Sequence, residues 1–317
     1  MSCDPSLSVS PAEAAALMQE RGEATVSLLQ RHYGLGYRAA LALMERVNLA
    51  GVCTIVAQQP TPVTDLGNLR RFADAVRTGL GPTRLSFTGA TLYSQPFSLA
   101  RGNVFIMGTN PGGTDEGKSS IAAVLARLEQ GEDAGNDYLD DQTWDTPQSL
   151  RLQKTVRALL HLLAPGRERS VCAANLVLVR SRTVEDLNAR TEGFWTLADA
   201  CWPGHEVILD VVRPKLIVAY GNGPESAYEY LLHRFRQTAA PERDECAGWG
   251  STKLKAFNYA AHWGDVRVVG LPHPSRYGLL GSPSDGAINR SAGEPWPILR
   301  PNVADFVLRE PGRPSLG

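Results

Sequence analysis

The sequence predicts an α/β protein with a mainly parallel central sheet of four strands. Four short apolar runs, typical of buried strands, lie near residues 103–108, 173–179, 215–220 and 266–271. A helix-like run from Ser120 to Leu128 follows the first of them. Turn-forming Gly, Asn, Pro and Ser residues come directly after the first and the last run. Because open α/β sheets hold their ligands at the carboxyl ends of the strands, we expect functional residues in these two loops.

A helical unit precedes this sheet in the chain. Ser10 followed by Pro11 is typical of a helix start, and residues 39–47 form a second run with helical apolar periodicity. The polar, proline-containing segment 58–64 predicts a linker, although the same evidence allows a boundary as late as Pro82. We therefore assign a helical domain to residues 1–64 and the α/β domain to residues 65–317.

Composition excludes several classes of protein. With 317 residues and 43% hydrophobic residues, the chain is long and apolar enough to build a real core. It has no apolar run of membrane-spanning length and no signal-peptide pattern, so we expect a cytoplasmic protein. The five cysteines form no C-x-x-C pair, which argues against a zinc site or an iron–sulfur cluster, and we expect no metal and no cofactor. A net charge of −1 predicts modest non-specific affinity for nucleic acid.

Four ordered segments carry the chemistry that the sequence suggests. Gly-Thr-Asn-Pro-Gly-Gly occupies residues 108–113, and His-Pro-Ser occupies residues 273–275. Between them lie segment 174–180, in which an Asn is followed by Leu-Val-Leu-Val-Arg, and segment 213–222, which ends in Tyr-Gly-Asn. In this order the four segments resemble the signature motifs of the uracil-DNA glycosylase superfamily. The resemblance covers residues 81–310 and implies a three-layer α/β/α domain.

The resemblance also implies roles for individual side chains. Asn110 would position the attacking water, His273 would donate a hydrogen bond to the departing base, and Asn175 would read the flipped base through its amide. The residues implied to line the base pocket are Gly108, Thr109 and Gly112. The residues implied to contact DNA are Ser275, Arg276 and Tyr277.

Two positions depart from the fastest or most selective members of this superfamily. Asn110 stands where fast members have Asp, and an amide can orient a water but cannot take its proton, so slow turnover is expected. Gly112 stands where uracil-specific members have a Tyr that blocks substituents at C5. The open position admits thymine or larger 5-substituted pyrimidines, such as hydroxymethylated or glucosylated cytosine, which leaves both base-excision repair and anti-phage defence open.

Several neighbouring residues have two interpretations each. Arg276, Tyr277, Leu279 and Leu280 are candidates for a wedge that fills the gap left by a flipped base, or are anchors of their loop. Tyr138 and Trp144 either stack on the base or belong to the core. Because no Lys is placed beside the motifs, we expect base removal without strand cleavage.

The N-terminal unit has a resemblance of its own. Residues 25–40, with Ser-Leu-Leu-Gln-Arg and Leu-Gly-Tyr, resemble the winged-helix gamma domain of the FtsK DNA translocase. This implies contacts from Arg31 and Arg38 to DNA. Two basic positions of that family's recognition helix fall on Ala39 and Ala42, so the alternative is a protein–protein or dimerisation module.

A second motif competes with the glycosylase hypothesis. Residues 112–119 satisfy G-x-x-x-x-G-K-S, the pattern of a phosphate-binding P-loop. However, residues 108–111 separate the preceding apolar run from Gly112. Asp115 and Glu116 would place carboxylates inside an anion site. In addition, no predicted strand ends in an acidic residue that could bind magnesium. The alternatives are thus a nucleotide-binding protein, which substitution of Lys118 would test, and a catalytically idle DNA-binding member of the glycosylase fold.

The sequence therefore predicts a monofunctional DNA glycosylase that hydrolytically excises a pyrimidine base and leaves an abasic site. We expect a monomer whose partner is single- or double-stranded DNA, associated with the nucleoid when bound to it. The sequence does not choose between uracil and a 5-modified pyrimidine.

Overall fold

A computed structural model describes residues 9–21, 26–35, 39–40, 42–44, 47, 64–132, 135–140, 146–242, 244–281 and 297–309. The chain divides into two compact units. The first comprises Met1–Pro62 and Arg290–Glu294, and the second comprises Val63–Asn289 and Pro295–Gly317.

The first unit contains helices α1 (Pro11–Arg21) and α2 (Val26–Tyr33). The predicted Ser10 cap is present as a reciprocal pair, because the Glu13 backbone N–H donates to Ser10 Oγ at 3.1 Å and the Ser10 N–H donates to Glu13 Oε2 at 2.8 Å. The described part of the predicted run 39–47 is also helical. These elements share a small apolar core, whose fully buried members include Ala14, Leu29, Ala40, Leu43 and Val47.

The second unit alternates strands with helices. Its helices are α3 (Leu66–Leu85), α4 (Ile121–Glu129), α5 (Pro147–Leu163), α6 (Val184–Arg190), α7 (Phe194–Val212), α8 (Ala227–Arg234) and α9 (Pro301–Leu308). Its strands are β1 (Val104–Gly108), β2 (Cys172–Asn175), β3 (Leu216–Tyr220), β4 (Ala240–Pro241), β5 (Glu245–Cys246), β6 (Lys253–Ala261) and β7 (Gly264–Leu271). No helix among the described residues is long and apolar enough to cross a membrane.

The strands form one mixed sheet of seven strands in the order β2-β1-β3-β7-β6-β4, with β5 also paired to β6. Strands β2, β1, β3 and β7 run parallel to one another, and each overlaps one of the four predicted runs. Strand β6 is antiparallel to β7, and β4 and β5 are antiparallel to β6. The prediction of a mainly parallel four-stranded sheet therefore missed the antiparallel half.

Strand β6 was missed because it has no continuous apolar run. Leu254, Ala256 and Tyr259 are buried, but the partly exposed Lys255 and Asn258 interrupt them. Such alternation is typical of an antiparallel strand with only part of its surface in the core.

The predicted strand 173–179 is shorter than expected. It ends at Asn175, after which the Leu176 N–H donates to Gly108 O at 2.8 Å and the Val177 N–H donates to Thr109 O at 2.9 Å. The chain thus bends across the end of β1 while remaining buried, which explains why it is apolar throughout. The bend leaves Asn175 at the strand end, in register with Gly108.

Helices cover both faces of the sheet. On β1, Phe105 and Met107 face a core that includes residues of α3, α4, α7 and α8, whereas Ile106 faces a second core with residues of α5 and α9. The alternation along β1 is that of a strand buried on both sides. Because helices cover both faces of the sheet at β1, the loops that carry the motifs lie at the strand ends rather than on a sheet face.

Candidate active site

The carboxyl ends of the parallel strands bring the two predicted loops together. Gly108 pairs with Asn175 across β1 and β2, and Tyr220 pairs with Leu271 across β3 and β7. His273 follows β7 by two residues. The predicted residues from both loops therefore share one edge of the sheet.

Two positions at this edge must be glycine because side chains of neighbouring strands and loops approach them closely. A Cβ at Gly108 would collide with Asn175 Oδ1 and Tyr220 Oη. Gly221 adopts φ 97°, and a Cβ there would lie 2.9 Å from Thr109 Oγ1 and 3.8 Å from the His273 ring. These contacts connect all four strand ends, which supports treating them as a single site.

Asn110 lies in a loop whose backbone fixes its amide. Its Nδ2 donates to the carbonyl oxygens of Pro111 at 3.0 Å and Ser181 at 3.1 Å, while the Ser181 N–H donates to Pro111 O at 2.9 Å. Because two carbonyl oxygens can only accept, they determine which end of the amide is nitrogen. Among the described residues no donor reaches Oδ1, so this side chain presents an acceptor.

His273 is held as a neutral ring with a defined tautomer. The Ser275 backbone N–H lies 3.3 Å from Nδ1 and Ser275 Oγ lies 2.7 Å from it. Since a backbone N–H can only donate, Nδ1 is the acceptor and Nε2 carries the hydrogen. Burial lowers the pKa of His273 to about 4, and the Arg276 charge acts in the same direction.

Asn175 is enclosed by tyrosines. It is 2% exposed, and Tyr220 Oη donates to its Oδ1 over 3.4 Å. The Tyr220 hydroxyl in turn lies 2.5 Å from Tyr138 Oη, and the Tyr138 ring stacks on Tyr93 with centroids 5.5 Å apart. Burial raises the pKa of all three tyrosines, so they are neutral hydrogen-bonding groups. Tyr138, a predicted stacking candidate, thus packs in the wall behind Asn175, while Trp144 lies outside the described residues.

Tyr220 is a site residue that the sequence analysis did not single out. Its ring meets the His273 ring edge-to-face at 5.7 Å, and its hydroxyl contacts Asn175. The available signal was its position as the last strand residue before Gly221.

Thr109 and Gly112 differ in their surroundings. Thr109 is 7% exposed and faces Gly221. Gly112 is exposed, its carbonyl accepts from Arg180 Nη1, and a Cβ there would meet nothing within 4 Å. The space beside Gly112 is open, so no described side chain takes the place of a blocking ring at this position.

The His-Pro-Ser loop continues as a helical turn. The backbone N–H groups of Arg276 and Tyr277 both donate to His273 O, and Ser275 O accepts from Arg151 at 3.4 Å. Arg276 is exposed, and Tyr277 is partly buried against the α5–α9 core.

Leu279 corrects one expectation for this loop. It was a candidate wedge, but it is completely buried in the α5–α9 core, because an apolar residue close to a sheet edge gains more by packing than by exposure. Leu280 packs against the same core and forms a bridge with Leu299. Arg276 is the exposed candidate, and Tyr277 and Leu280 are both partly buried.

The residues of the P-loop pattern do not form a phosphate cradle. Helix α4 begins at Ile121 with Ser120 as its cap, beyond the Lys-Ser pair that should open the helix. The Lys118 N–H donates to Asp115 O at 3.1 Å, and the Asp115 carboxylate accepts from Thr88 and pairs with Arg190 at 2.7 Å. The Lys118 N–H is thus used within the loop and is not available to a phosphate. The Asp115 carboxylate in the same loop disfavours binding of an anion.

In the first unit, Arg31 is exposed on α2, and Arg38 lies outside the described residues. Across the described ranges of both units, no group of three or more His, Cys, Asp or Glu could hold a metal ion. No family model matches the chain, and no curated protein matches it in sequence.

Proposed function

We propose that the second unit is a monofunctional DNA glycosylase of the uracil-DNA glycosylase type that excises a pyrimidine base from DNA by hydrolysis. The observation that carries this proposal is the pairing of two groups at one strand edge. Asn110 presents a fixed acceptor, and His273 presents a neutral Nε2–H donor. Hydrolysis of an N-glycosidic bond needs an acceptor to orient water and a donor to stabilise charge on the departing base.

Asn110 would orient the attacking water through Oδ1. The two carbonyl oxygens that hold Nδ2 prevent the amide from turning its donor toward the water. An amide oxygen cannot take the proton at neutral pH, so the proton leaves to solvent as the water adds to C1′. This predicts a slow enzyme whose rate an Asp at position 110 would raise.

His273 would donate from Nε2 to the base oxygen that becomes negative as the bond breaks. A neutral imidazole suits this role because it stabilises an anion without having to transfer its proton. A preorganised donor in a water-poor site contributes about 3 kcal/mol of transition-state stabilisation. Burial keeps the ring neutral over the physiological range.

Asn175 would read the flipped base, with Tyr220 supporting its amide. The open space beside Gly112 allows substituents at C5, so the proposed substrates are uracil, thymine and larger 5-modified pyrimidines, in repair or in defence against phages. The site groups are amides and an imidazole rather than an amine, which supports base removal without a Schiff base.

The finer architecture belongs to the same proposal. We infer that the four parallel strands and their flanking helices form the three-layer core of a glycosylase fold, and that the first unit is a winged-helix module that binds DNA through Arg31. The protein would act in the cytoplasm, on nucleoid DNA.

One observation favours a second candidate, a catalytically idle member of this fold that only binds DNA. Asn175 is 2% exposed, and Tyr220 and Tyr138 surround it. A base can reach this amide only if the tyrosines move aside.

The test is base excision from labelled oligonucleotides that carry uracil, thymine opposite guanine, 5-hydroxymethylcytosine or its glucosylated form, followed by alkali to break abasic sites. We expect breaks at one of these bases, loss of the breaks in Asn110→Ala and His273→Gln, and faster breakage in Asn110→Asp. Lys118→Ala is the matched control and should behave like the wild type. DNA binding without breaks at any base would establish the idle alternative, and ATP binding that Lys118→Ala abolishes would establish the nucleotide-binding one.

A further inference from the structure

An exposed tryptophan lies beside the His-Pro-Ser loop. Trp249 is 42% exposed, and it belongs to the turn that leads into β6 at the carboxyl edge of the sheet. The edge of its ring reaches Gly278, where a Cβ would lie 3.3 Å from Cζ2. Gly278 is five positions after His273 in the chain.

The turn holds this ring in place. The Ala247 N–H donates to Thr252 O at 3.0 Å, and the Thr252 N–H donates to Trp249 O at 2.8 Å. Ala247 is completely buried, which anchors the turn in the core. Gly248 and Gly250 have φ values of 83° and 51°, so a glycine on each side allows the backbone to present the ring outward.

A cation accompanies the ring. The Arg300 guanidinium lies 5.0 Å from the Trp249 ring centroid, and the Arg300 N–H donates to Leu279 O at 2.9 Å. Its Nη1 is buried beside Gly248 and has no hydrogen-bond partner among the residues that the structure describes. Because this nitrogen is buried, it is closed to a DNA phosphate, and the guanidinium supports the ring through its cation–π contact.

Two arginine side chains lie at the His-Pro-Ser loop. Arg276 is exposed on the same loop, and Arg151 binds the Ser275 carbonyl. Of the nearby carboxylates, Glu245 is paired with Arg309, and the exposed Glu185 interacts with the Arg276 charge. An aromatic face with guanidinium groups around it matches the chemistry of a DNA strand, in which flat bases alternate with phosphates.

We propose that Trp249 is a DNA-stacking residue that packs on a base of the bound strand next to the extruded nucleotide, with Arg276 at a flanking phosphate. This inference rests on the proposed glycosylase function and deepens it. It assigns the DNA contact outside the pocket to the turn before β6. Leu279 cannot supply this contact because it is buried.

The experiment measures binding of a short fluorescein-labelled single-stranded DNA by anisotropy, together with quenching of tryptophan fluorescence. Trp249→Ala should weaken binding about tenfold and remove most of the quenching, because base stacking on an aromatic ring is worth that order of affinity. Trp249→Phe, which keeps a ring, should restore most of the affinity. Trp195→Ala is the matched control, since Trp195 is 40% exposed on α7, away from this loop.

Unchanged affinity in Trp249→Ala, or a wild-type protein that does not bind the strand, overturns the inference. Equal losses in Trp249→Ala and Trp195→Ala also overturn it, because they would indicate a general effect of removing surface aromatics. Excision is scored separately with Asn110→Ala. If DNA affinity depends on Trp249 but the protein excises no base, the DNA-stacking inference stands and the glycosylase function is rejected. If the protein excises a base but its DNA affinity does not depend on Trp249, the glycosylase function stands and the DNA-stacking inference is rejected.

Discussion

Acidification should destabilise the protein through two histidines that are neutral in the fold. Burial lowers the pKa of both His273 and His205 to about 4, from the ordinary histidine value of 6.5. Because the unfolded chain takes up these protons first, stability is complete above about pH 6.5 and is lost as the pH falls toward about 4. Each unit of difference between the folded and unfolded pKa values corresponds to about 1.36 kcal/mol. Full protonation of each histidine therefore lowers the free energy of unfolding by about 3 kcal/mol.

The two histidines can be separated by substitution. His205 Nε2 contacts the Leu176 carbonyl at 2.8 Å within the core, whereas His273 contacts solvent at the strand edge. In urea unfolding followed by circular dichroism between about pH 7 and pH 4, His273→Gln should retain about half of the wild-type acid loss, because the His205 contribution persists.

Nuclear magnetic resonance titration of the histidine rings gives the direct measurement. The His273 signals, assigned by their absence in His273→Gln, should stay in the Nε2–H form down to about pH 5. Excision should likewise show no ionisation between about pH 5.5 and pH 8. A His273 midpoint near the ordinary 6.5, or an activity step there that His273→Gln removes, would refute the argument from burial.

Three further results are expected. Gly108→Ala should lower the free energy of unfolding by about 1–3 kcal/mol in urea titration and abolish excision, because the added Cβ strikes Asn175 and Tyr220; a stable, active variant would contradict the packing described here. Gly112→Tyr should leave removal of uracil intact in the oligonucleotide assay while blocking bases substituted at C5, since it fills open space, and equal losses on all bases would count against a gate. Glu242→Ala should cost about 3–5 kcal/mol in thermal unfolding, because it strands the guanidinium of Arg267, which is 2% exposed and pairs with Glu242 through two 2.8 Å contacts.

The sequence predicted those elements whose side chains are apolar on both sides. β1 and β3 appeared as continuous runs, and β7 as a run interrupted by Arg267, because helices cover both sheet faces. Strand β6 interrupts its apolar residues with polar ones, and segment 176–179 is apolar although it lies outside the strand and pairs only through the bridge of Val179 to Gly89. Apolar periodicity reports burial rather than hydrogen bonding. The prediction based on it therefore missed strand β6 and made the strand at 173–179 too long.

The candidate site followed the same division. Asn110 and His273 could be found because their motifs are local in sequence. Tyr220 and Trp249 could not, because their importance depends on neighbours from distant segments: Asn175 and His273 for the one, Gly278 and Arg300 for the other. Leu279 shows the converse, since its place next to a motif suggested exposure and tertiary packing buried it.

The position of Tyr220 links two properties that a designer would like to vary separately. Its hydroxyl touches the amide assigned to base recognition, and its ring touches the imidazole assigned to charge stabilisation. A substitution that enlarges the pocket at this point also frees the imidazole to tilt. Selection for a new base at this position would therefore alter turnover at the same time, and recovery of speed would need a compensating change elsewhere around the ring.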